Sequence, residues 1–134
     1  DTLQAAILLA KFEIFPEEIE LRQKVAAQYI ELFSDTDLTL PRIPTGFQSV
    51  WAQFSLLARD KKHRRQIQKN LSTRGIPTAI YYPLPLHLQP AFAYLGYKTG
   101  DFPRSEDVAS RIFSLPMHPY LTPTDQKKIR ECAL

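Results

Sequence analysis

Residues 75–90 read GIPTAIYYPLPLHLQP, and this stretch decides how the rest of the chain can be arranged. The β-branched and aromatic residues of Ile76–Tyr82 predict a strand, with Pro77 at its start or on an edge because proline donates no ladder hydrogen bond. The next segment, Pro83–Pro103, is rich in proline and aromatic residues and predicts a long connection with a short helical turn near Ala91–Leu95. Connections of this length are usually functional, so we expect a binding surface here.

The N-terminal segment predicts a helix that needs a partner. Apolar residues recur at helical spacing from Leu3 to Leu32, which indicates one long helix with a bend near Pro16. The helix is apolar around most of its circumference, so part of it is expected to pack against a surface outside this chain.

Shorter elements complete the predicted fold. They are a strand within Ser49–Leu57, a helix over Lys61–Arg74 with Asp60 as N-cap and Gly75 as its end, a helix over Arg104–Phe113, an extended piece at Ser114–Pro116, and a last helix capped by Thr122 with Pro123 at its first position. The pattern predicts an α+β domain: a long N-terminal helix and a small, mainly antiparallel sheet of two or three strands covered by helices.

Composition narrows the classes of function. With 134 residues, 44% hydrophobic and 23% charged, the chain is expected to form a single globular domain over residues 1–134. A net charge of +3 is too small to indicate a nucleic-acid partner. No run of about 18 apolar residues occurs, so no membrane partner is predicted. Cys132 is the only cysteine, which excludes an internal disulfide and fits a cytoplasmic protein.

The residues themselves offer few candidates for chemistry. The three histidines lack the spacing of metal ligands, and no cysteine or carboxylate cluster joins them, so no metal site is predicted. No residue shows the pattern of an activated nucleophile, so no catalytic residue is predicted in this chain. His87 is the best candidate for a binding site, because it lies in a rigid polar and aromatic segment. The basic run Lys61–Arg65 surrounds a helix and is interpreted as a solvated face.

Four groups of residues, in order, resemble the DegT/DnrJ/EryC1/StrS family of sugar aminotransferases. The first is similar to the family's helix after its Asn-x-Arg element, the second to its substrate-side loop, and the last two to the segment that closes the fold. They are Asp1–Lys11, Gly75–Thr78 with Tyr81–Pro90, Gly100–Pro103 with Ser105–Glu106, and Ser114–Pro119. Together they span nearly the whole chain.

The resemblance implies a type I aminotransferase fold in which this chain is the C-terminal small domain. A large domain preceding Asp1 would supply the lysine that binds pyridoxal 5'-phosphate (PLP), the aspartate beside its pyridinium nitrogen and most phosphate contacts. No lysine here matches the family's lysine, so no cofactor-binding residue is expected in this chain and it should be inactive alone. The intact parent would be a homodimer that moves an amino group, from glutamate, to a keto-sugar nucleotide.

The resemblance also implies a substrate surface. By position Tyr81, Tyr82 and His87 would meet the nucleotide sugar, with tyrosine hydroxyls donating to sugar or phosphate oxygens. Many relatives carry histidine at the position of Tyr81. The Tyr-Tyr-Pro variant is most similar to enzymes that aminate C3 of a UDP-linked keto-hexuronic acid for bacterial surface polysaccharide, such as lipopolysaccharide. Core packing is the alternative interpretation for Tyr82.

Two other classes of function stay open on the sequence. The chain could be a free-standing binding module for a nucleotide sugar or a protein, motivated by the aromatic and proline-rich segment. It could also be a small nucleic-acid binder, motivated by Lys61–Arg65 alone. Saturable UDP-sugar binding supports the first, salt-dependent nucleic-acid binding supports the second, and a lysine-dependent imine with PLP in this chain would contradict the aminotransferase interpretation.

Overall fold

The computed structural model describes residues 1–134 and has an α+β architecture. In chain order its helices and strands are α1 (Thr2–Phe12), α2 (Phe15–Leu32), β1 (Phe54–Leu57), α3 (Lys61–Thr73), α4 (Pro103–Arg111), β2 (Ile112–Leu115) and α5 (Pro123–Ala133), with 3₁₀ turns at Leu86–Leu88 and Pro90–Leu95. The two strands pair antiparallel, with Phe54 opposite Leu115 and Leu57 opposite Ile112. This confirms the predicted fold class, with two strands in the sheet.

The core lies between this sheet and the helices α2, α3 and α5. Tyr29, Phe54 and Phe113 have fully buried side chains, and the rings of Tyr29 and Phe54 are 4.9 Å apart. Helix α3 contributes Ile67 and Leu71, which are 1% and 0% exposed and lie on one face of the helix because they are four residues apart. Helix α2, near the N-terminus, and helix α5, at the C-terminus, therefore pack into the same core.

The N-terminal segment forms two helices, where one bent helix was predicted. Helix α1 ends at Phe12, and α2 begins at Phe15 with Pro16 in its first turn. Proline is favoured in the first turn because the missing N–H has no partner there, so Pro16 starts a helix instead of bending one. No residue of α1 is buried, and Leu3 and Leu9 are 70% and 71% exposed.

The strand predictions were partly wrong. Only Phe54–Leu57 of the predicted strand Ser49–Leu57 is extended in the sheet, because the loop before it is held by Gln23 and by a left-handed Trp51 with φ of +50°. Residues 76–82 form no strand: Ala79 alone bridges to Ser114. Prolines at both ends of this segment remove donors that a ladder would need.

The predicted helix over Arg104–Phe113 is also too long. Helix α4 stops at Arg111, and Ile112 has extended angles that begin β2. Phe113 is fully buried, and it reaches the core from the strand. Its pairing with β1 overrides the helical pattern of the sequence around it.

The predicted helix caps are confirmed. The Asp60 carboxylate accepts a hydrogen bond from the His63 backbone N–H at 2.7 Å, and Thr122 accepts one from the Asp125 backbone N–H at 3.1 Å. These side chains satisfy donors that the first helical turns leave unpaired. None of the helices combines the length and the hydropathy that crossing a membrane requires.

Candidate functional site

A groove of about 900 Å³ lies between the proline-rich connection and helix α4. Eleven of its 15 lining residues are hydrophobic, and the polar ones carry hydroxyl, amide or imidazole groups. The lining consists of Tyr81, Tyr82, Leu84, Pro85, Leu86, His87, Gln89, Phe92, Leu95, Tyr97, Phe102, Ser105, Val108, Ala109 and Ile112. Grooves of this size and composition are typical of sites for small organic ligands.

Two segments shape the groove, and both are fixed by local sequence. The proline segment, residues 83–90, contains the first 3₁₀ turn at Leu86–Leu88 and ends at Pro90, where the second 3₁₀ turn begins. The closing loop, residues 96–102, starts at Gly96 with φ of +76°, a left-handed angle that glycine adopts without strain. Proline restricts φ, so the first segment loses little conformational entropy when a ligand binds.

Tyr81 and Tyr82 stand at the edge of the groove. Their side chains are 44% and 70% exposed, and their rings meet edge to face with centroids 6.0 Å apart across a cis peptide bond. Neither hydroxyl has a hydrogen-bond partner within the chain, so both are free to donate to a ligand. Tyr82 is therefore not part of this chain's own core.

His87 lies in the same groove but is held by the protein. Its side chain is 8% exposed, its Nε2 is 3.1 Å from Glu106 Oε1, and its ring lies 4.7 Å from the ring of Phe102. The structure therefore brings all three predicted binding residues to one groove. A direct contact between His87 and substrate stays a prediction.

Glu106 is a residue whose role the sequence did not reveal. Its carboxylate accepts hydrogen bonds from the backbone N–H of Gly100 at 2.8 Å and of Phe102 at 3.4 Å, as well as pairing with His87. The Gly100 bond and, next, the His87 bond hold the pKa of Glu106 below its ordinary range. The sequence offered two hints: an acidic residue in the first turn of a helix, and the place of Glu106 in the group Gly100–Pro103 with Ser105–Glu106 that resembles the family.

A second, smaller cavity of about 240 Å³ adjoins the groove. Tyr81 lines both, and the smaller one adds Gln53, Thr78 and Ser114 as polar groups. No charged side chain lines either cavity. A ligand spanning the two would pass the ring of Tyr81.

The groove does not fit PLP as a resident cofactor. Its lining has no lysine to form an imine and no arginine to pair with a phosphate. No group of three or more His, Cys, Asp or Glu residues is arranged to hold a metal ion. The groove's donors and aromatic faces suit the uncharged parts of a ligand.

The other histidines and the basic run do not line the groove. His63 Nδ1 is 3.8 Å from Asp37, and His118 is exposed. Within the basic run Lys61, Lys62 and Arg65 are exposed, whereas the His63 side chain is 17% exposed. Arg64 is 7% exposed and donates to the Ala109 carbonyl at 2.9 Å near the end of α4. The run therefore offers no continuous phosphate-binding patch.

An α+β domain with this helix order and groove is a small domain of the aminotransferase type, as its match to solved structures shows. The chain belongs to the DegT/DnrJ/EryC1/StrS aminotransferase family, whose model matches residues 1–133. The prediction of this family is confirmed.

Three relatives define the likeness. A UDP-2-acetamido-2-deoxy-3-oxo-D-glucuronate aminotransferase of Pseudomonas aeruginosa is 46% identical over 121 residues, 90% of this chain and 32% of that protein. A DegT DnrJ EryC1 StrS aminotransferase from Brucella abortus is 43% identical with a TM-score of 0.88, over 99% of this chain and 35% of that one. A putative sugar aminotransferase from Streptococcus pneumoniae, 20% identical, has been solved in a PMP form with a TM-score of 0.83 over 92% and 32%. The chain spans about a third of their lengths.

Proposed function

We propose that this chain is the C-terminal small domain of a PLP-dependent sugar-nucleotide aminotransferase, and that its groove forms one wall of the substrate cleft. A large domain would hold the cofactor and its lysine, because the groove described here offers neither an amine nor a phosphate partner. The third of each relative that the chain spans supports this division into domains.

The observation on which the proposal depends is the pair of free tyrosine hydroxyls at the edge of an apolar groove. Hydroxyl groups of Tyr81 and Tyr82 can donate to sugar oxygens, and aromatic rings can stack on the face of a nucleobase. The apolar lining would exclude water from the cleft, which strengthens each hydrogen bond made there. The diphosphate would lie outside the groove, because no cation lines it.

The substrate class follows from the Pseudomonas relative. That protein is a UDP-2-acetamido-2-deoxy-3-oxo-D-glucuronate aminotransferase, and the proposed parent would aminate C3 of a similar UDP-linked keto-hexuronic acid. We further propose glutamate as the amino donor, a homodimeric parent and a place in surface polysaccharide synthesis. His87 would form part of the substrate wall with the two tyrosines.

The groove's part in substrate binding is tested by NMR titration of the chain with UDP-N-acetylglucosamine, a stable probe of the substrate class. A free-standing binding module would give the same shifts, and turnover by a chimera with a relative's large domain separates the two. Resonances of the groove lining should shift saturably, and Tyr82→Phe should weaken binding about 2- to 10-fold, the loss of one hydrogen bond. Tyr94→Phe is the matched control, since Tyr94 is 80% exposed and lies outside the groove lining. Shifts located away from the groove, or equal effects of the two variants, would contradict the proposal.

A further inference from the structure

One carboxylate connects three segments around the groove. Glu106 belongs to α4, His87 belongs to the proline segment, and Gly100 and Phe102 belong to the closing loop. The Glu106 side chain is 18% exposed and contacts all of them, with Oε1 and Oε2 at 2.8 and 3.1 Å from the Gly100 backbone nitrogen. No other side chain in the structure links these three segments by hydrogen bonds.

The closing loop supplies the wall that faces the proline segment. Phe102 packs its ring 4.7 Å from His87 on one side and 5.1 Å from Tyr97, edge to face, on the other. Aromatic rings at these distances prefer particular relative orientations, so the two contacts restrict the orientation of the Phe102 ring. The loop has no regular secondary structure of its own, so its position depends on the Glu106 bonds and on this ring stack.

Histidine at position 87 can reinforce the wall in two ways. Its Nε2 bonds to Glu106 at 3.1 Å, and its ring supports Phe102. Glu106 itself does not line the groove, so it cannot act on a ligand directly. An effect of Glu106 on ligand binding would have to pass through the segments it holds.

We propose that His87 and Glu106 form a positioning pair, in which the bond between them fixes the Tyr97–Phe102 wall relative to the proline segment. His87 then affects ligand affinity through Glu106 and the wall, and the exposed tyrosines make the polar contacts. The proposal rests on the proposed function for the identity of the ligand, and on the contacts above for the mechanism. Charge-assisted hydrogen bonds to one carboxylate are well suited to hold a short loop.

The test compares three variants of the chain by hydrogen exchange at the Gly100 and Phe102 amides. His87→Phe keeps a ring on Phe102 but removes the bond to Glu106, whereas His87→Gln keeps a donor and removes the ring. The positioning pair predicts faster exchange at both amides in His87→Phe and partial rescue in His87→Gln. Asp107→Asn is the matched control, because Asp107 pairs with Arg111 on the outer face of α4. Unchanged exchange in His87→Phe would overturn the proposal.

Affinity for UDP-N-acetylglucosamine gives a second readout. A purely structural role of His87 and Glu106 would not produce the set of Kd changes expected here. His87→Phe removes one hydrogen bond and should raise Kd about 2- to 10-fold. Glu106→Ala should raise Kd at least as much, because it also removes the bonds to Gly100 and Phe102. The double variant should be no weaker than Glu106→Ala alone, because the His87 bond is already lost in that variant. A raised Kd in His87→Phe with an unchanged Kd in Glu106→Ala would overturn the proposal in favour of direct contact by His87.

Two safeguards keep the outcomes separate. If Glu106→Ala unfolds, His87→Phe and His87→Gln decide the affinity test, because both leave the Gly100 bond in place and only His87→Phe lacks a donor to Glu106. A Kd that His87→Gln does not partly restore would overturn the proposal. If the wild-type chain binds no probe, the binding claim of the proposed function fails, and the exchange rates at Gly100 and Phe102 still decide whether the pair positions the loop.

Discussion

Removing the hydroxyl of Tyr29 should cost much more stability than removing the hydroxyl of Tyr120. Tyr29 is 0% exposed, and its hydroxyl donates to the Pro116 carbonyl at 3.0 Å, across the core from α2 to the segment after β2. Tyr29→Phe keeps the ring packed against Phe54 and removes only this bond. The lost bond costs about 1 kcal/mol, and the stranded carbonyl raises the total to roughly 1–2 kcal/mol.

Tyr120→Phe is the same chemical change at an exposed bond. Tyr120 is 62% exposed and donates to Glu18 at 2.8 Å, where water can replace it, so the expected cost is within about 0.5 kcal/mol. Thermal unfolding should therefore show Tm lowered by roughly 3–12 °C in Tyr29→Phe and by much less in Tyr120→Phe. Equal shifts in the two variants would refute the inference that the Tyr29 bond is protected from water.

The pH dependence of the same residue offers an independent check. Burial, and then the charge of Asp125, raise the pKa of Tyr29 above its ordinary value of 10.0. A raised pKa in the folded state means that the unfolded chain releases this proton first. The stability that the folded chain gains by keeping Tyr29 protonated is therefore fully present below pH 10 and is lost as the pH rises further. Tyr29→Phe should lose less stability than wild type between neutral and strongly alkaline pH, and an identical loss would contradict this cause.

Three further predictions concern a helix cap, the closing loop and helix α1. Asp60→Ala should lower the free energy of unfolding by about 1 kcal/mol in denaturant titration, because the His63 N–H loses its acceptor; no change would show that water replaces the cap. Because the pKa of Glu106 is lowered from its ordinary value of 4.5, the closing loop should be fully held above pH 4.5. Its amides should lose protection, relative to the intrinsic exchange rate at each pH, as the pH falls through the lower pKa of the folded state; amides that keep their neutral-pH protection in acid would contradict this. The chain should self-associate in sedimentation experiments through the apolar residues of α1, and Leu8→Glu with Phe12→Glu should reduce the association; a monomeric wild-type chain would contradict this.

The caps and the groove were predictable because their causes are local. Asp60 and Thr122 each satisfy a backbone donor three residues away, so their patterns are complete within one turn of sequence. The prolines of residues 83–90 restrict their own backbone angles and block a regular ladder wherever they occur. Length and composition together therefore located the groove-forming segment.

The errors came from partners that are distant in sequence. Ile112 and Phe113 were predicted to end a helix, but they begin a strand because Phe54–Leu57, more than 50 residues earlier, supplies the pairing edge. Residues 76–82 have strand-forming side chains, yet Ala79 alone finds a partner in the sheet. Local propensity is a weak preference that such long-range pairing overrides.

In the candidate site, too, residues within one segment could be predicted, whereas contacts between distant segments could not. His87 could be named from its rigid polar and aromatic segment, whereas Tyr81 and Tyr82 were named from the resemblance to the family. The contact between His87 and Glu106 spans 19 residues and a loop whose path no local rule predicts. Tyr97 and Phe102 entered the site for the same reason, through packing against the proline segment.

The central claim is that this chain forms the substrate wall of a sugar-nucleotide aminotransferase. It is tested most directly by turnover in a chimera, in which this chain replaces the aligned third of the Pseudomonas aeruginosa aminotransferase. The account predicts that the chimera transfers an amino group to the 3-oxo-glucuronate substrate of that enzyme, and that Tyr82→Phe lowers kcat/KM while Tyr94→Phe does not. A chimera that folds and binds PLP but shows no turnover would contradict the account and favour a binding module.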